Sequence, residues 1–103
     1  MKKAEQMTIN SKVSDMAELA KKTLDSKSYW KNSKPLRSCS AVVYDFGDTQ
    51  ILRSYNTVVA LIKNGVCYDF LRKVYGYTAT SAQHISKFCH DYSASEKLTY
   101  KEC

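Results

Sequence analysis

Asn64-Gly65 stands between two apolar runs, Val58 to Ile62 and Val66 to Leu71, and no other feature narrows the possible folds as sharply. A two-residue type I′ turn needs φ > 0 at both central positions, which Asn tolerates and Gly adopts freely. The runs on either side are therefore expected to pair as antiparallel neighbours. A second turn signal, Gly47-Asp48, follows Ser40 to Phe46, whose Val, Tyr and Phe content suits a pleated strand. Thr49 to Ile62 then reads as one long strand, bent or bulged around Ser54-Tyr55-Asn56. Strict alternation along it puts Val58, Ala60 and Ile62 on one face and Val59 and Leu61 on the other. Both faces of the sheet thus require cover.

Two helical stripes can supply it. Val13, Met16, Ala17, Ala20 and Leu24 recur at the spacing of an amphipathic helix, expected over Ser11 to Asp25 with Ser11 or Ser14 as its N-cap. Ala82, Ile85, Phe88, Cys89 and Tyr92 form the second stripe, over Ser81 to Tyr92. Thr80 with Gln83 matches a capping box at its start. Ser26 to Ser38 is polar and basic, a connector or an edge segment, and Pro35 forbids continuation of helix one through it. Arg72 to Thr78 reads as a tyrosine-rich loop. Ser93 to Cys103 reads either as a tail or as a short edge strand containing Leu98 and Tyr100. The expected architecture is α+β, α-β-β-β-α: a three-stranded antiparallel meander packed by the C-terminal helix. Helix one covers either the other face or the same one.

At 103 residues the chain fits one domain. Three Gly and one Pro leave little room for low-complexity or collagen-like structure. The basic N-terminus has no apolar run behind it and no stretch reaches the roughly 18 apolar residues of a spanning helix, so a cytoplasmic protein is expected. In that compartment Cys39, Cys67, Cys89 and Cys103 are expected to be free thiols. Scattered among them, His84 and His90 make no ligand spacing for a structural metal. No cofactor is expected.

The net charge of +6 is unevenly spread: Met1 to Arg37 carries +5, Ser38 to Tyr92 +1, and the last eleven residues balance. Within the basic third, Lys21, Lys22, Lys27, Lys31, Lys34 and Arg37 surround Tyr29 and Trp30. Cations that neutralise phosphates beside aromatic faces that stack on bases are the two ingredients of nucleic-acid binding. The competing reading is a solvated lysine face with Trp30 anchored in the core. Elsewhere, eight tyrosines supply contact area with hydrogen-bonding tips. Tyr55, Tyr75 and Tyr77 gather at predicted turns, and with Arg72, Lys73 and His84 they form a candidate partner-binding surface. The same tyrosines also suit the rim of a small sheet. For His84 the favoured reading is a structural tie between helix two and the Tyr75–Tyr77 loop, with partner contact the lesser one. Asp45, Asp48 and Asp69 belong to no metal, phosphate-loop or nucleophile motif, so solvated strand acids account for them better than a nuclease site.

Two stretches resemble a family of small uncharacterised proteins of phages and mobile elements. Ser54-Tyr55-Asn56-Thr57-Val58-Val59-Ala60 is similar to an S-Y-x-T-x-V-A motif. Tyr77-Thr78-Ala79-Thr80-Ser81, with His84-Ile85 and Phe88, is similar to Y-S-A-T-T-x-x-H-I-x-E-F, with Thr78 and Ser81 conservative departures and Lys87 replacing an acid. The resemblance spans Ser40 to Tyr92 and carries no catalytic residues. It implies an accessory protein that blocks a host protein or ribonucleoprotein, as inhibitors of CRISPR nucleases do. The expectation is thus a non-enzymatic binding protein. The alternative is a small basic nucleic-acid binder acting through Lys21–Arg37.

Overall fold

The computed structural model describes residues 3–26, 33–35, 41–55, 57–76 and 78–101. Its elements run α1 (Lys3–Ser26), β1 (Ser33–Pro35), β2 (Ala41–Asp45), β3 (Thr49–Ser54), β4 (Thr57–Lys63), β5 (Val66–Asp69), α2 (Leu71–Val74), α3 (Ala79–Asp91) and β6 (Glu96–Thr99). The fold is α+β, but the sheet has six strands rather than three, in the order β1-β2-β3-β4-β5-β6. All neighbours pair antiparallel except β5 and β6, which are parallel.

The Asn64-Gly65 turn is as the sequence required, with φ of 54° and 78°. At the other predicted turn, Asp45 accepts a 2.9 Å bond from the Gly47 N–H and a 3.1 Å bond from the Gln50 side chain. The expected long strand Thr49 to Ile62 is in fact two. The chain reverses at Tyr55, whose φ of 56° lies in the left-handed region, and β3 and β4 form a hairpin. The alternation drawn for that strand also fails. Leu52 faces Ala60 and Arg53 faces Val58, so Val59 is an extra, bulged residue. The bulge breaks the period of two: Val58 and Leu61 share one apolar cluster, while Val59, Ala60 and Ile62 share the other.

Each cluster lies under one long helix. On one face, Val13 and Ala20 of α1 pack with Tyr44, Ile51, Leu61 and Phe70. On the other, Ile85 and Phe88 of α3 pack with Val43, Leu52, Val59, Ile62, Cys67 and Leu71. The two helices thus sandwich the sheet, which settles the side that helix one takes.

Helix one begins at Lys3, two turns before the expected Ser11, so Ser11 and Ser14 are interior residues rather than caps. Those turns are held by polar contacts that no apolar stripe reveals. Gln6 donates to the Thr99 carbonyl at 3.0 Å. The Asn10 amide donates to the Lys101 carbonyl at 2.7 Å and accepts from the Lys101 N–H at 3.0 Å. These bonds satisfy backbone groups at the end of β6 and just past it, on an edge strand that would otherwise present them to other chains. Of the two readings of the C-terminal stretch, the edge strand is correct. It pairs in parallel because the segment between β5 and β6 crosses over through α3. Ser95 locks the crossover by donating its N–H (2.7 Å) and hydroxyl (3.1 Å) to the Gly65 carbonyl.

Of the two readings of the basic stretch, the edge segment holds at Ser33–Pro35: β1 is a three-residue edge strand ending at Pro35, where a missing N–H costs the ladder nothing. Two further boundaries differ. Strand five stops at Asp69 instead of Leu71, because the Asp69 carboxylate accepts the Leu71 N–H at 3.1 Å and starts α2 within the expected loop. The N-cap of α3 is Thr78 rather than Thr80: it has extended backbone and its hydroxyl accepts from Ser81 N–H at 3.2 Å. No helix among the described residues is long and apolar enough to cross a membrane.

Candidate functional site

At one end of the sheet, the β3–β4 hairpin, α2 and the start of α3 enclose a cleft of about 390 Å³. Val59 and Leu71 give it an apolar floor, Thr57, Thr78, Thr80 and Ser81 supply hydroxyls, and Tyr55 and Tyr75 stand at its rim. Both tyrosines are open to solvent, 54% and 69% exposed, and Val74 beside Tyr75 is 43% exposed. Among the described residues the other large exposed hydrophobe is Met7. Tyr55 holds its left-handed backbone without being Gly, Asn or Asp, a conformation costing on the order of 1–3 kcal/mol that surrounding structure must enforce.

Part of that enforcement is a buried polar relay. The Ser54 hydroxyl lies 2.9 Å from the Ser81 hydroxyl and 2.8 Å from Nδ1 of His84. The His84 ring in turn sits 5.9 Å from the Tyr55 ring at a 48° tilt. Burial, with a smaller contribution from the positive charge of Lys87, holds His84 below its ordinary pKa. Neutral His84 can accept at Nδ1. Ser54 has one proton to give, so donation to His84 leaves it accepting from Ser81. A serine beside a histidine is the geometry of an activated nucleophile. Ser54, however, is only 2% exposed, and its hydroxyl is already shared between two partners. The relay is a clasp: it ties the end of β3 to α3 and places the Tyr55 ring at the cleft mouth.

The candidate partner-binding residues therefore divide. Tyr55 and Tyr75 share the cleft, and His84 stands against the Tyr55 ring and is tied to Ser54 at the end of β3. Tyr77 lies outside the described residues. Arg72 is half-buried on α2, and Lys73 turns away to place its ammonium 5.6 Å from the centre of the Tyr100 ring. Of the candidate nucleic-acid residues, Lys21 and Lys22 are exposed on α1 and Lys34 on β1. Lys27, Tyr29, Trp30, Lys31 and Arg37 lie outside the described residues. The carboxylates weighed for a nuclease are otherwise engaged: Asp45 in its turn, Asp69 at the start of α2 and 3.7 Å from Lys97.

Residue-by-residue reading missed Ser54, Thr57, Thr78, Thr80 and Ser81 as lining groups. A signal for them existed. They belong to the two motif-like stretches, S-Y-N-T-V-V-A and Y-T-A-T-S, which are separated in sequence and face each other across this cleft.

A profile of a family of unknown function (DUF8033) matches residues 21–103, a span that contains every residue lining the cleft. No curated protein and no solved structure matches the chain.

Proposed function

Because the chain belongs to the DUF8033 family, a family of unknown function, its role has to be read from its own surfaces, and we propose that it is a non-enzymatic binding protein gripping a protein partner at the tyrosine-rimmed cleft. The observation that carries this reading is the convergence of Tyr55 and Tyr75, both solvent-exposed, on one apolar-floored cavity. Exposed aromatics around a preformed cleft are the usual anchors of protein recognition, since each brings large area and few rotamers to fix. The left-handed backbone at Tyr55 supports the same reading, because strain at an exposed aromatic is retained where the presentation matters. The resemblance to phage and mobile-element proteins extends the proposal to a host protein or ribonucleoprotein, a defence nuclease among them.

The test is capture from host lysate, with and without nuclease treatment, followed by affinity measurement on the partner recovered. Tyr75→Ala and Tyr55→Ala are each expected to cost upward of about 2 kcal/mol, roughly thirtyfold in Kd. Charge reversal at Lys27, Lys31 and Lys34 is expected mainly to slow association. The alternative, nucleic-acid binding through Lys21–Arg37, predicts the opposite ranking together with a nuclease-sensitive complex. Tyrosine variants that bind normally would overturn the proposal.

A further inference from the structure

A second cleft, of about 590 Å³, opens beneath the C-terminal half of α1. Three elements each send one cation to it: Lys21 from α1, Arg53 from β3 and Lys73 from α2. Glu18 is the acid among its lining residues, which leaves the lining with a net charge of +2. Arg53 was assigned no role from sequence. Its guanidinium sits over the Tyr44 ring, 5.9 Å from the centroid, and its buried Nε finds no hydrogen-bond partner among the described residues. The guanidinium is a permanent cation lining the cleft, and an anion held there would offset its charge. Leu24, Val58 and Val74 form apolar walls beside these charges.

We infer that this cleft binds the phosphodiester backbone of a single-stranded nucleic acid. Arg53 is half-buried between helix and sheet while Lys21 and Lys73 are exposed, so a flexible single strand can bend to reach all three more readily than the stiff surface of a duplex. Separated like charges suit a ligand that carries one anion per repeat, and apolar walls suit sugars and base faces. Beside the cleft, Lys22 is exposed on the same helix. This cleft meets the tyrosine-rimmed one at Thr57, which lines both, but its cations and the rim tyrosines belong to different clefts, so substitutions at Lys21 or Lys73 and at Tyr55 or Tyr75 test the two sites apart.

The experiment uses the full chain and a fluorescent 12-nucleotide oligo-dT, with fluorescence anisotropy read across a salt series. Three phosphate contacts at about 0.7 each give a log–log slope near −2, or about twentyfold weaker binding between roughly 50 and 200 mM salt. Lys21→Gln and Lys73→Gln change exposed side chains and should leave folding intact while each shallows the slope by about 0.7. Arg53→Lys keeps the charge but loses the forked donor, and is expected to weaken binding without changing the slope. Lys87→Gln, on α3 at the opposite face, is the control and should have no effect. Equal losses from Lys87→Gln and Lys21→Gln would show a diffuse charge effect and overturn the site. Tighter binding of a duplex of the same length, or equal competition by poly-glutamate, would overturn the single-strand assignment. Absence of salt-dependent binding would overturn it outright.

Discussion

The helix that backs the tyrosine-rimmed cleft begins at Thr78, and that single hydroxyl offers a sharp test of the architecture. Two threonines compete for the capping role: Thr80, which fits a capping-box pattern with Gln83, and Thr78, whose side chain accepts the Ser81 N–H. Thr80 is exposed and already within the first turn. Removing the Thr78 hydroxyl leaves the Ser81 N–H without its acceptor at a partly buried position, at a cost of about 1 kcal/mol within a range of about 0.5–2. Unfolding entropy near 2.1 cal/mol/K per residue gives about 0.2 kcal/mol/K for a chain of this length, so Tm should fall by about 5 °C. Thr80→Ala should shift it by no more than the usual surface scatter of about 0.5 kcal/mol. Thr78→Ser keeps the oxygen and should recover most of the loss. The assay is thermal and guanidinium unfolding by circular dichroism on the three variants. A larger loss from Thr80→Ala than from Thr78→Ala would show that α3 starts one turn-fraction later, and would displace Ser81 and His84 from the relay built on it.

Two further outcomes follow from the titrating groups. Cys67 and Cys89 are free thiols facing one another between β5 and α3: Cys67 donates to the Cys89 sulfur, a bond that with burial drives the Cys67 pKa up and that, against the opposing effect of burial, brings the Cys89 pKa down. In native protein an alkylating reagent should therefore modify Cys89 well before Cys67 near neutral pH, and mass spectrometry showing Cys67 modified first would refute the assignment. His84 has its folded-state pKa lowered below the ordinary 6.5, first by burial and then by Lys87. Its contribution to stability is full above that ordinary value and is lost as pH falls through the lower, folded-state one. Guanidinium midpoints measured from pH 7.5 downward should fall more steeply in the wild type than in His84→Asn, which cannot titrate, and parallel curves would remove His84 from the acid response.

Local chemistry in the sequence determined a good deal. Asn64-Gly65 specifies a hairpin because its backbone preference is independent of anything distant, and the turn has the required left-handed pair. The apolar stripes of both helices were legible for a similar reason, since burial of one face imposes a 3.6-residue period whatever the partner. The class of fold and the absence of a spanning helix among the described residues followed from such signals. What the sequence misjudged depends on contacts between distant residues. The first turns of α1 are held by Gln6 and Asn10 on the backbone of the last strand, and polar docking leaves no apolar period to read. The Val59 bulge shifts the faces of β4, because one unpaired residue reverses every side chain beyond it. Strand β6 pairs in parallel across a helical crossover, a partnership no local window contains. Both clefts belong to that second category. Ser54 and Ser81, or Lys21, Arg53 and Lys73, become neighbours only when helices close on the two faces of the sheet, so tertiary structure alone decides which side chains share a site.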